Sequence, residues 1–118
     1  MSHKLRVAVL LTALSSPTPL LATPVQEMIE PCTAAAMGNT SRPDATFCLG
    51  VIFGLMQMSD MNCYAGLTGR VPTAGTPPSN QAAAQAFVNW ARANPSSWGQ
   101  DYVVGMLLAL SATFPCTR

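Results

Sequence analysis

Apolar residues recur every three or four positions in four segments of the chain, which is the spacing of one face of an α-helix. The first predicted helix covers residues 24–37. Pro31 lies inside it and lacks an N–H group, so we expect a kink or an end there. The second predicted helix covers residues 45–61, after a loop at 38–44 that is rich in helix breakers. Its predicted core face contains Phe47, Cys48, Val51, Ile52, Leu55, Met58 and Ser59.

Two glycines, Gly50 and Gly54, lie four residues apart inside the second predicted helix. A glycine in a helix interior costs up to about 1 kcal/mol relative to alanine, so two of them require an explanation. Because glycine has no side chain, a neighbouring helix can approach its backbone closely. We therefore expect another helix of the bundle to pack against this pair.

Glycine and proline residues are dense enough over 63–80 to prevent a regular element there. A third predicted helix covers 79–94, with Ser79 or Asn80 as its cap, and a fourth runs from about 101 to 114. Ser97 and Gln100 resemble a capping box before the fourth helix, which we expect to be buried centrally because 102–110 is almost wholly apolar. No segment alternates as a strand does. The sequence therefore predicts an all-α fold, a small disulfide-stapled bundle of about four helices.

The N-terminal segment has the layout of a signal peptide. A short basic stretch precedes an apolar run from Val7 to Leu14, and a small residue, Ala22, marks the expected cleavage position. The alternative is a first helix of the folded domain, but the apolar run is too short to span a bilayer and its flanks are those of a signal. The predicted organisation is a signal peptide at 1–22 and one helical domain at 23–118, exported to the periplasm. No membrane association is expected after cleavage.

The composition of 23–118 limits the chemistry. It contains four arginines, five carboxylates and neither lysine nor histidine, so its formal charge is 4 − 5 = −1. Without a basic stripe, nucleic-acid binding is not expected. Without histidine or lysine, Ser-His and Cys-His dyads, histidine zinc sites and Schiff bases are excluded. The acidic residues Asp44, Asp60 and Asp101 lie in no catalytic motif. We therefore expect a protein that is not an enzyme and that has no cofactor and no metal site.

Four cysteines, Cys32, Cys48, Cys63 and Cys116, remain after removal of the signal and are expected to pair in an oxidising compartment. They allow three pairings. A hairpin of the first two helices brings Cys32 to Cys48, and an antiparallel arrangement of the last two brings Cys63 to Cys116, so these pairs are preferred. Zinc binding is the rival use, but no two cysteines have the C-x₂₋₄-C spacing of zinc sites.

These elements together resemble a known family. In order, they are the segment Cys48-Leu-Gly50-Val-Ile-Phe-Gly54, a further cysteine after a gap, a helix ending at Asn94-Pro95, the run Leu107-Leu-Ala109-Leu110 and the closing Phe114-Pro115-Cys116. The arrangement is similar to the Rap/Tai family of immunity proteins, which are periplasmic antidotes to peptidoglycan amidase toxins of type VI secretion. Val51, Gln57 and Tyr64 depart from the residues usual in that family, but the cysteine and helix framework is intact.

The resemblance implies a rigid helical protein that binds an exported amidase effector, occludes its active-site cleft and forms a homodimer through its glycine- or alanine-rich faces. The segment from Tyr64 to Asn80 is the expected plug. An alternative is that it is a connector whose Tyr64 and Leu67 only cover the core. The residues expected to contact the toxin from this segment are Tyr64, Leu67, Arg70 and Val71.

A second expected contact surface lies around the turn between the last two helices. It contains Arg92 and Asp101, whereas Trp98 is expected to be a partly buried core residue. A different binding function also stays open, a periplasmic chaperone or carrier with an apolar cavity between helices. The methionine content favours it, with Met56, Met58 and Met61 as candidates for the cavity wall, although methionine at helical spacing is more often core.

Overall fold

The computed structural model describes residues 23–64 and 78–116. Within these ranges the chain forms four α-helices and no β-strand, so the predicted all-α class is confirmed. The helices are α1 (Val25–Ala36), α2 (Pro43–Tyr64), α3 (Asn80–Ala93) and α4 (Tyr102–Thr113), with a 3₁₀ turn at Pro95–Ser97 before α4.

Helix α1 continues past Pro31 to Ala36, so its predicted extent is confirmed, and of the two outcomes expected at Pro31, a kink or an end, the end is wrong. After Pro31, the buried residues of this helix are Cys32, Ala34 and Ala35. Their packing outweighs the helical hydrogen bond that is lost because proline has no N–H group. Two residues after the last residue of the helix, Gly38 has a φ of 78°, the left-handed conformation that glycine adopts without strain. Its N–H donates to the Ala35 carbonyl, 3.0 Å away.

Helix α2 begins at Pro43, a position where a proline loses no helical hydrogen bond, and continues to Tyr64. It is therefore longer at both ends than predicted, and residues 63–64 belong to the helix. Its buried face is rotated from the predicted one. Phe47 and Met58 are about half exposed, whereas the buried positions are Ala45, Cys48, Ile52, Met56 and Ser59.

Helix α3 forms with α1 the most extensive contact between any two of the described helices, and it also packs against α2 and α4. The Ser79 side chain caps it by accepting a hydrogen bond from the Ala82 N–H at 3.1 Å, as predicted. Its buried residues are Ala83, Ala84, Ala86, Phe87, Val88 and Ala91. The prediction that α4 is the central helix is wrong, since Val104 and Leu108 of α4 are exposed.

Close contact with neighbouring helices occurs at a different glycine from the predicted pair. Among the described residues, no atom lies within 4 Å of a Cβ placed on Gly50 or Gly54, so none of the described helices packs closely against this pair as expected. A Cβ on Gly105 of α4 would lie 2.5 Å from Cγ2 of Val25 and 3.2 Å from Cζ3 of Trp90. The position in α4 is therefore the one at which the bundle requires glycine.

The start of the described chain is held against the turn before α4. The Val25 N–H donates to the Gln100 carbonyl at 2.8 Å, and the Tyr102 N–H donates to the Thr23 carbonyl at 3.0 Å. Trp98 is partly buried and packs against the core. Its Nε1–H donates to the Ala91 carbonyl at 2.7 Å, so its expected role as a core residue is confirmed.

A disulfide joins α1 to α2. Cys32 and Cys48 are fully buried, with an S–S distance of 2.04 Å and a Cα–Cα distance of 5.5 Å, which confirms this predicted pair. Cys116 is also disulfide-bonded. The side chain of Cys63 lies outside the described residues, so the pair Cys63–Cys116 stays a prediction.

Candidate partner-binding surface

Two of the six residues predicted at a partner interface, Arg92 and Asp101, have side chains that the structure describes. The predicted plug stays a prediction, because the side chains expected to make its contacts lie outside the described residues: Tyr64, Leu67, Arg70 and Val71.

Asp101 is the N-cap of α4. Its Oδ1 accepts hydrogen bonds from the N–H groups of Val103, at 2.8 Å, and of Val104, at 3.4 Å. A carboxylate here satisfies N–H groups that have no partner in the first turn, and it interacts favourably with the helix dipole. The cap is therefore Asp101 and not Ser97 of the predicted capping box. The sequence placed Asp101 on a contact surface, and the structure gives this carboxylate a local structural role.

Arg92 lies in the last turn of α3, where a positive charge suits the helix dipole. Its side chain is exposed, and its Nη2 approaches the Thr33 hydroxyl of α1 at 3.5 Å. That contact is long for a hydrogen bond and lies at the surface, so it restrains the guanidinium only weakly. Arg92 is therefore able to donate to an acidic group of another protein.

Arg42 is engaged within the chain. Its guanidinium binds both carboxylate oxygens of Glu30 on α1, and its Nη2 lies 2.7 Å from Oδ2 of Asp44. Hydrogen bonding from Arg42 lowers the pKa of both carboxyl groups, and they in turn raise the pKa of Arg42. This ion-pair cluster joins α1 to the start of α2 on the surface. The positive charge of Arg42 is therefore balanced by two carboxylates of the same chain.

The largest apolar side chains exposed on one helix lie on α2, along the side that faces away from the bundle. Phe47 and Phe53 are each 51% exposed, Met58 is 46% exposed and Met61 is 72% exposed. We call this the outer face of α2, defined by Phe47, Gly50, Phe53, Gly54, Met58 and Met61. Large apolar side chains exposed on one helix are a common property of protein-interaction sites.

The sequence contained a signal for this face that its interpretation missed. Helix α2 is apolar on almost every side, and such a helix is normally enclosed on all sides. The core face of α2 is formed by Ala45, Cys48, Ile52 and Met56. Phe47 and Met58 lie on other sides of the helix and are exposed to solvent. The sign in the sequence is that this helix contains more apolar residues than a small bundle can bury, so some of them are left exposed.

A second exposed apolar strip lies on α4, where Val104 is 47% and Leu108 is 44% exposed. The two helices meet near their first turns, where the rings of Phe47 and Tyr102 have centroids 6.1 Å apart and planes tilted by 51°. This geometry is favourable for an aromatic pair. It places Phe47 at the junction between α2 and α4.

Within 23–64 and 78–116, no three or more His, Cys, Asp or Glu side chains are grouped so that they could hold a metal ion. None of the described helices is long and apolar enough to cross a membrane. The described surface offers apolar contacts on α2 and α4 and an exposed guanidinium on α3. These are the groups with which one protein binds another.

A family model for Rap1a immunity proteins matches residues 24–116 of the chain. The match includes all four helices, the Cys32–Cys48 disulfide and Cys116, and it confirms the resemblance to immunity proteins. No curated protein and no solved structure matches the chain. Because the match extends over most of the sequence, the chain belongs to the Rap1a family of immunity proteins.

Proposed function

We propose that this chain is a periplasmic immunity protein that binds a peptidoglycan amidase toxin of type VI secretion and occludes its active site. The observation that carries the proposal is membership of the Rap1a immunity family, since an immunity protein acts by binding a secreted effector. The amidase class of the target follows from the resemblance of the Cys48–Gly54 segment and the Phe114-Pro115-Cys116 terminus to Rap/Tai proteins.

The buried Cys32–Cys48 disulfide supports action outside the cytosol, because disulfides form and persist in oxidising compartments. The proposed toxin cleaves peptidoglycan, so its antidote has to meet it in the periplasm. Residues 1–22 would direct export as a signal peptide.

Occlusion requires a rigid base and a protruding element. The base is supplied by α2 and α3, which pack against each other, while the disulfide ties α2 to α1. The proposed plug connects Tyr64, at the end of α2, to Asn80, at the start of α3. A segment held at both ends loses less conformational freedom on binding than a free one. In this proposal Tyr64 and Leu67 are apolar anchors and Arg70 binds an acidic group at the rim of the cleft.

The alternative, a carrier with an apolar cavity, receives less support. Met58 and Met61 are exposed on the outer face of α2, so they line no space between helices. Met56 is buried within the common core of the four helices. The methionines that suggested a cavity are therefore divided between the solvent and the packed interior.

The test is protection of a bacterium that expresses a periplasmic amidase toxin from the same genome. The full chain is expected to prevent lysis, and a variant lacking residues 2–22 is expected to lose protection because it stays in the cytosol. Arg70→Ala is expected to weaken protection, and Arg92→Ala, which removes the guanidinium of the second predicted contact surface, is expected to weaken it less.

Inhibition in vitro separates binding from export. Purified 23–118 with its disulfides intact should inhibit hydrolysis of peptidoglycan by the amidase in proportion to its concentration, up to one immunity chain per enzyme. If neither lysis of the cells nor hydrolysis of peptidoglycan is reduced with any such toxin of the genome, an amidase is not the target of this protein. Equal protection by Arg70→Ala and the unmodified chain would remove Arg70 from the interface.

A further inference from the structure

Two thioether side chains are exposed to solvent close to each other on α2. Met58 is 46% exposed and Met61 is 72% exposed, and both belong to the outer face of α2. We propose that this pair binds a soft monovalent cation, copper(I) or silver(I), with the two Sδ atoms as its ligands. The proposed plug does not include these residues, so the metal site does not depend on the proposed function.

The exposure of this pair sets it apart from the methionines of the core. Methionine is usually buried, where its flexible chain fills irregular gaps. The described methionines that follow this rule are Met28, Met56 and Met106. Met58 and Met61 instead leave their sulfur-bearing side chains in solvent. Gly54, one turn before Met58, has no atom of the described residues within 4 Å of the place of a Cβ, so the surface beside the pair is open to a dissolved ion.

The helical spacing allows both sulfur atoms to bind one ion. Met58 and Met61 are three residues apart in α2, and such residues lie on the same side of a helix with their Cβ atoms about 5–6 Å apart. Long side chains on a helix lean toward its N-terminus, which directs Met61 over the turn that contains Met58. Each sulfur is held by a side chain with three rotatable bonds. The two Sδ atoms can therefore turn toward a cation placed between them.

The chemistry of the available donors selects the class of metal. Residues 23–118 contain no histidine, and Cys32, Cys48 and Cys116 are disulfide-bonded, so these thiols are not available as ligands. Thioether sulfur is a soft donor that favours copper(I), whereas magnesium and calcium favour oxygen donors, and zinc binds thiolate, imidazole or carboxylate. The expectation of no metal site concerned histidine and cysteine ligands. A thioether pair remains open to a soft cation.

The charges of α2 also favour a cation. The helix contains two charged residues, Asp44 in its first turn and Asp60 between the two methionines. Asp44 is paired with Arg42, whereas Asp60 forms no ion pair within the described part of the chain. An unpaired carboxylate attracts a cation nearby, and α2 has no positive side chain that would repel it.

The first experiment is a titration of purified 23–118 with silver nitrate in a chloride-free buffer, followed by NMR of ¹³C-labelled methionine methyl groups. Silver(I) has the charge and the ligand preference of copper(I) without its redox chemistry. The methyl signals of Met58 and Met61 should shift together and saturate at one ion per chain. Met37 is the internal reference, because it is 78% exposed and has no methionine three or four residues away. Its signal should require at least about tenfold more free silver, since a second donor on the same helix raises the affinity.

Matched substitutions test whether both sulfur atoms are ligands. Met58→Leu and Met61→Leu each remove one sulfur but keep an apolar side chain of similar size at an exposed position, so the fold should be retained. Each should weaken silver binding at least about tenfold, and the remaining methionine should then titrate as Met37 does. Met37→Leu is the control and should leave the affinity unchanged. Competition with bicinchoninate, under ascorbate and without oxygen, should give the same order of affinities for copper(I).

The second experiment identifies the ligand type from the dependence of binding on pH and on the metal. A thioether takes up no proton in water, so the affinity for silver should be the same at about pH 5 and about pH 8, whereas thiolate, imidazole and carboxylate ligands lose affinity as they become protonated. Zinc(II) at the same concentrations should shift neither the Met58 nor the Met61 signal, because thioether is not among its usual ligands.

Three outcomes would overturn the proposal. They are a Met37 signal that shifts at the same free silver concentration as that of Met58, an affinity that Met61→Leu leaves unchanged, and binding that weakens steeply between about pH 8 and about pH 5. The first would show that the two thioethers do not act together, and the last would assign the ion to a ligand that takes up protons. Failure to neutralise any amidase would leave these measurements unaffected, so the two proposals are tested separately.

Discussion

Gly105 is the position at which a single added methyl group should be most harmful. In the Gly105→Ala variant the new Cβ would lie 2.5 Å from Cγ2 of Val25, 3.2 Å from Cζ3 of Trp90 and 3.5 Å from Cε2 of Phe87. Val25 cannot easily move away. It is fully buried, its N–H is bonded to the Gln100 carbonyl at 2.8 Å, and a β-branched side chain in a helix has essentially one χ1 rotamer.

Two effects of opposite sign determine the result. Alanine is favoured over glycine in a helix by about 1 kcal/mol, whereas an overpacked core costs about 1–3 kcal/mol. The 2.5 Å contact with a constrained side chain puts this site at the upper end of that range, so we expect a net loss of about 2 kcal/mol. For a domain of this size the loss corresponds to a decrease in melting temperature of roughly 8–16 °C.

The assay is thermal and urea unfolding of the 23–118 chain at low micromolar concentration, followed by circular dichroism with disulfides intact. Gly54→Ala is the matched control, because its Cβ meets nothing within 4 Å, and it should gain up to about 1 kcal/mol. Combining Gly105→Ala with Val25→Ala should cost less than the sum of the single changes, since the shorter side chain relieves the contact. A Gly105→Ala variant as stable as the unmodified chain would refute the reasoning, as would equal losses at both glycines.

Three further predictions concern the connections between helices. Replacing Cys32 and Cys48 by alanine should lower the free energy of unfolding by about 3 kcal/mol, measured by urea unfolding, because their separation of 16 residues closes a loop in the unfolded chain. Asp101→Ala should cost about 1 kcal/mol in the same assay, whereas Asp101→Asn, which caps equally well, should cost much less. Arg42 lowers the pKa of two carboxyl groups, so its contribution is present above their unfolded pKa values and is lost as the pH falls below about 4.5. Melting temperatures between pH 6 and pH 3 should therefore decrease less for Arg42→Gln than for the unmodified chain, and an identical decrease would contradict this assignment.

Most of the secondary structure was predictable because it depends on local chemistry. The helix cap at Ser79, the stop at Gly38 and the breaks around Pro95 follow from backbone hydrogen bonding and allowed dihedral angles, which neighbouring residues determine. Whether α1 would end at Pro31 could not be decided in this way. Burial of Cys32 and Ala35 against other helices stabilises that turn, and a local pattern does not contain this information.

The candidate site was predicted less well than the fold. Asp101 was correctly found near a helix start, but the sequence could not show that its carboxylate caps α4. Phe47 and Met58 were placed in the core because their spacing is helical, and the structure exposes them. Spacing identifies which residues share a face, whereas the contacts of the whole bundle determine which face is buried.

The sequence by itself determined the all-α class, the approximate extent of four helices and the resemblance to immunity proteins, and it made Cys32–Cys48 a preferred pair. Each of these depends on residue type and spacing along the chain. The tertiary structure alone decided that α1 and α3 form the largest helix contact, that Gly105 carries the close contact and that the outer face of α2 is exposed. The physical reason is that an apolar helix can be buried on any side, and only the positions of its neighbours decide which side faces water.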